Sequence, residues 1–181
     1  MDSGIHAGSA PYEYTVKEKP SATLLFKRIS LIALYVLWVV VLLFVGATAR
    51  IIAPFLAFIP LSLWVLVFLT WRLTQVEYEY SFFSGTLTVA RVLGGRSRRV
   101  LCEVTISGFA NVVPCTGDGL KRIENFSAER TIFAASDENA EGLYAAMWND
   151  AENTPTVLYF EPNEKAIKII RYYNISSLSM R

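Results

Sequence analysis

The chain has 181 residues, 53% of them apolar, a net charge of +1 at neutral pH and a mean hydropathy of +0.36. That hydropathy is too high for an ordinary water-soluble domain, and the length is too short for a polytopic transporter of the usual size. The near-neutral balance excludes a general polybasic nucleic-acid binder, leaving only local charge clusters to consider.

Residues 1–23 read as a polar N-terminal tail that contains the sole histidine, His6. From Ile29 to Ala49, and again from Ile51 to Trp71, every position is uncharged. Each run holds roughly twenty residues, enough to cross a hydrocarbon core as a helix. Apolar residues surround the whole helical wheel in both runs, and a domain of this size cannot cover two such helices, so a buried soluble hairpin is disfavoured. Ala47-Thr48-Ala49 resembles a signal-peptidase site, but the leader is long, the apolar run exceeds a normal signal core, and a second apolar run follows at once.

The two runs therefore predict a transmembrane hairpin over 24–73, with Gly46 near the end of the first helix, Pro54 opening the second and Pro60 loosening it. Lys17, Lys19, Lys27, Arg28, Arg72 and the arginines from Arg91 to Arg99 lie on one side of the predicted bilayer, against Arg50 alone on the other. The positive-inside rule then puts both termini in the cytoplasm, with Lys27, Arg28, Trp71 and Arg72 as interface anchors. Neither run carries an ionisable residue, so the hairpin reads as an anchor rather than an ion path.

After Arg72 the period becomes two: Val76, Tyr78, Tyr80 and Phe82 alternate with Glu77, Glu79 and Ser81. Ser84-Gly85 and Gly94-Gly95 are turn signals, so 76–83, 86–93 and 100–106 predict a three-stranded antiparallel meander. Residues 115–130 are polar and read as a long loop, and Thr131 to Ala135 adds a short strand. Gly142 to Trp148 fits a strand or a helix, and Thr156 to Glu161 fits a strand. Pro162-Asn163 opens a helix whose Ala166, Ile169, Ile170 and Tyr173 form one apolar stripe. This gives an α+β domain over 74–175, with a frayed terminus over 176–181.

The stretches VEYEYSFFSGTLTVARVLGGRSRRVLCEVTISGF and TVLYFEPNEKAIKIIRYY resemble a family of uncharacterised bacterial two-span membrane proteins with a pleckstrin-homology-like cytoplasmic domain. The resemblance covers roughly Leu24 to Tyr173. It implies a PH-like antiparallel sheet or partly open barrel closed by a C-terminal amphipathic helix, and it transfers no functional residue.

The clearest candidate site is the basic hairpin: Arg91, Arg96, Arg98 and Arg99 sit where anionic lipid or phosphate contact is expected, and a solvated hairpin tip explains the same residues. Gly94-Gly95 lacks the pattern of a phosphate-binding P-loop. Catalytic residues, metal ligands and cofactors are not predicted: His6 lies in the tail, and Cys102 and Cys115 lack metal or disulfide spacing. The sequence thus points to a non-catalytic binding or scaffold module at the inner membrane surface. Its expected partners are the bilayer, anionic headgroups and an unidentified membrane or cytoplasmic protein, and nucleic acid is not among them. The alternative is an accessory or regulatory subunit of a membrane transport or secretion complex, which would use the helix faces, with Gly46, Ala47 and Ala57 at the contact.

Overall fold

The computed structural model describes residues 11–19, 22–49 and 52–175. His6, Arg50 and the expected frayed terminus lie outside them. The chain divides into two compact bodies. The first holds the helices, residues 19–76, together with the hairpin tip 93–97; the second holds the sheets.

In the helical body, α1 (Ala22–Thr48) and α2 (Ile52–Thr70) lie antiparallel. The pairing is fixed by two polar pins, Tyr35 Oη with Thr70 Oγ1 at 2.5 Å and Trp38 Nε1 donating to Ser62 Oγ at 3.3 Å. Tyr35, Leu42 and Gly46 form the buried seam of α1, spaced by seven and four residues as one helical face requires. The same two α2 hydroxyls also bond back to their own helix: Thr70 Oγ1 donates to Leu66 O and Ser62 Oγ to Ile59 O. Such back-bonding removes polar groups from an apolar surface. Helix α2 continues through Pro60. The segment Leu24–Thr48 is long and apolar enough to cross a membrane, and Leu56–Thr70 is a shorter apolar helix.

A 3₁₀ turn, Trp71–Thr74, follows α2. The sheet body then holds two four-stranded sheets. The first comprises β1 (Tyr12–Lys17), β2 (Val76–Phe83), β3 (Thr86–Leu93) and β4 (Ser97–Thr105), in that spatial order. Part of the expected polar tail is therefore a strand. Tyr12, Tyr14 and Val16 alternate with Glu13, Thr15 and Lys17, and β1 pairs antiparallel with β2. The Tyr14 ring stacks on Tyr80 at 4.9 Å, which repays the ordering of a chain end.

The second sheet has the order β5 (Asn111–Pro114), β7 (Tyr144–Asn149), β8 (Pro155–Phe160) and β6 (Arg130–Ala134). Residues 144–149 are thus strand rather than helix. β6 runs parallel to β8, unlike the other pairings in this sheet; alternation marks the faces of a strand and says nothing of its partner's direction. The β7–β8 turn is tied by the Asp150 carboxylate, which accepts from the backbone N–H groups of Glu152 at 2.9 Å and Thr154 at 3.2 Å.

The expected loop over 115–130 contains helix α3 (Asp118–Asn125). A Cβ at Gly119 would lie 1.9 Å from the Pro114 carbonyl, so only glycine permits this seat. Ile123 and Phe126 then pack on the buried cluster of Val113, Ala145, Met147 and Val157. Helix α4 (Glu164–Tyr173) closes the domain as expected, with the Asn163 side chain accepting from Ala166 N at 2.9 Å as its N-cap. Ala166 and Ile170 are fully buried, as the apolar stripe predicts.

Two polar knots join elements of the sheet body. Tyr80 is buried and its hydroxyl donates to the Ala134 carbonyl. Asn174, also buried, donates from Nδ2 to the carbonyls of Ile106 at 3.0 Å, Ser107 at 3.3 Å and Phe109 at 2.9 Å, tying the end of α4 to the turn after β4. Asn174 escapes a reading by period, because a single amide beyond an apolar stripe looks like an ordinary helix end.

Candidate functional site

The four arginines of the basic hairpin have different surroundings. Arg98, on β4, is held by Glu79 of β2, with Nη2 at 2.8 Å and Nε at 3.0 Å from the same carboxylate oxygen. Arg99 is exposed. Arg91, on β3, is half-buried, and its Nε is shielded from water without a hydrogen bond. Burial pushes the neighbouring Tyr78 hydroxyl up, Glu18 adds to the rise, and the positive charge of Arg91 works against both. Arg96 belongs to the tip that goes with the helices.

How that tip is held follows from Gly94. Its N–H donates to Gln75 O at 2.8 Å, and its φ is +57°. A Cβ there would stand 2.7 Å from the carbonyl oxygen of Arg72 and 2.9 Å from its Cβ. Glycine is thus required twice, for the left-handed backbone and for the close approach. The contact docks the hairpin tip, and Arg96 with it, on the turn that follows α2.

At that end of the helical body stand the expected interface residues. Arg28 lies on the early turns of α1 with its guanidinium 6.0 Å from the Trp71 ring centre, and Arg72 folds back over Phe68 at 5.2 Å. Stacking a guanidinium on an aromatic face satisfies its plane and leaves its edge N–H groups available. Arg28 Nε and Arg72 Nη1 are both shielded from water and make no hydrogen bond among the described residues. Lys27 is exposed. The sequence pattern identified these residues one by one; the docking of the hairpin tip beside Arg72 depends on the Gly94 contact, for which a Gly-Gly turn is the only local signal.

Neither cysteine has the environment of a nucleophile. Burial pushes the Cys102 thiol up to about 11, against the partial opposition of Arg130 and a backbone hydrogen bond, and burial likewise pushes Cys115 up to about 11. Glu77 lies 3.5 Å from Lys17, so it and Glu79 each face a cation rather than one another. Among the described residues no three His, Cys, Asp or Glu side chains gather as a metal site would need.

A family described as bacterial PH-like domain (DUF6106) matches residues 11–180. No curated protein and no solved structure matches the chain. PH-like domains are generally non-catalytic binding modules, and they commonly bind lipids or proteins. Because the match takes in the apolar helices as well as every strand, it spans nearly the whole sequence, and the chain belongs to this family of bacterial PH-like proteins.

Proposed function

We propose that the chain is a membrane-anchored, non-catalytic binding or scaffold module that presents its PH-like domain at the inner membrane surface, both termini being cytoplasmic. The observation that carries the reading is the helical body itself. Leu24–Thr48 spans about 37 Å at 1.5 Å per residue, and its large apolar side chains face outward, Phe44 at 69% exposure for example. Surfaces of that kind are stable in lipid and costly in water. The asymmetry of positive charge supports the orientation. The arginines that carry no carboxylate partner among the described residues, Arg96 and Arg99 on the hairpin and Arg28 and Arg72 on the helical body, support contact with anionic headgroups.

Alkaline carbonate washing and protease treatment of sealed spheroplasts test the proposal together. The chain is expected to stay with the membrane through the wash, and its portion after Arg72 is expected to resist protease until the cells are opened. Release by carbonate removes the anchor; digestion from outside reverses the orientation.

One observation favours the second reading, an accessory subunit of a transport or secretion complex. An apolar groove on α2, lined by Phe58, Leu61, Val65 and Leu69, is open to a neighbouring helix. In-membrane cross-linking from Leu61 separates the readings: a stoichiometric protein adduct supports the subunit, and its absence supports the module.

A further inference from the structure

The helical body, residues 19–76 with 93–97, contains Lys19, Lys27, Arg28, Arg50, Arg72 and Arg96 but no aspartate or glutamate. Its arginines therefore have no carboxylate of their own body to face, in contrast to Arg98 with Glu79 or Arg130 with Asp150 at 3.7 Å in the sheet body. Two of them, Arg28 and Arg72, are oriented by aromatic rings, and each keeps a guanidinium N–H that is shielded from water and unmatched. A half-buried cation in a body that has no acidic side chain is unfavourable, and an anion supplied from elsewhere relieves it.

We infer that Arg28 and Arg72, flanked by Lys27 and Arg96, form a site for one phosphate-bearing anion at the end of the helical pair, and that its occupant is an anionic phospholipid headgroup. A phosphate offers several acceptor oxygens, and guanidinium edges meet such oxygens in pairs. The place argues for a lipid: the site lies on the early turns of α1 and just beyond the end of α2, at the edges of the two uncharged runs. This assignment rests on the membrane reading above and names its ligand. It also moves the site off Arg98, which is already neutralised by Glu79.

The test is native mass spectrometry of the full chain released from detergent micelles holding equal amounts of phosphatidylglycerol and phosphatidylcholine. One retained phosphatidylglycerol is the expected state. Arg28→Gln/Arg72→Gln is expected to lower that preference about thirtyfold, whereas Arg98→Gln, whose cation is already paired with Glu79, leaves it in place. Arg28→Lys/Arg72→Lys, which keeps the charge, retains a preference for the anionic lipid and shows that the glutamine pair did not merely unfold the protein. Displacement by millimolar inorganic phosphate would support the phosphate site and assign free anion as its occupant. Equal retention of both lipids by the parent chain, or an unchanged preference in the glutamine pair, overturns the site. Those results leave the carbonate and protease outcomes untouched, so the two proposals fail separately.

Discussion

The two bodies use the same apolar residue types in opposite directions. In the sheet body Tyr80 and Leu87 are at 0% exposure, while in the helices Trp64 is at 66% and, among the described residues, only a narrow seam of Leu24, Tyr35, Leu42 and Gly46 is covered. The sheets bury apolar side chains against one another and spend their polar groups on specific knots. The helices hold together by a seam and two hydroxyl pins and offer the rest of their surface outward. Burial against protein is therefore the organising force in one body, and burial against lipid is the complement proposed for the other.

The largest expected effect that sharpens this contrast is in the sheet body. Asn174→Ala leaves three carbonyls at the α4 end without their shared donor and should cost about 3 kcal/mol in denaturant unfolding. Next is Gly94→Ala, which combines a left-handed backbone with the 2.7 Å approach to Arg72 O and should cost about 2 kcal/mol. Its signature is faster proteolysis at the hairpin tip, with the helices intact.

Alkaline pH should act on the sheet body. Cys102 and Cys115 have folded values raised to about 11 from 9.0, so the stability tied to their neutral thiols is complete below pH 9 and is lost as pH rises through 11. A falling melting temperature across that window, flattened in Cys102→Ala/Cys115→Ala, is the expected result. The smallest effect belongs to Arg98→Gln: the Glu79 pair is partly exposed, and thermal unfolding should register less than about 1 kcal/mol.

Much of the sheet body was legible because period two and turn residues are local signals. The hairpins around Ser84-Gly85 and Gly94-Gly95 and the capped helix α4 follow from them directly. What escaped depends on partners distant in sequence. β1 reads as a polar tail until β2 is beside it, and the parallel pairing of β6 with β8 has no trace in either strand. Helix α3 hides behind two glycines, one of which is needed only because Pro114 lies against it. At the candidate site, Arg28, Trp71 and Arg72 were visible as residues at the ends of apolar runs. The separation of Arg98 from Arg96 was not, because charge spacing along a strand does not reveal that Glu79 occupies one of the cations.

Two valines of similar exposure decide the matter most directly: Val36 in the middle of α1 at 58%, and Val100 on β4 at 48%. With Cys102 and Cys115 replaced by serine, each is changed to cysteine and opened membranes are treated with a water-soluble maleimide. The expected result is rapid modification of Val100→Cys and none of Val36→Cys until the bilayer is dissolved. Modification of both at similar rates in intact bilayer would place α1 in water and contradict the anchor.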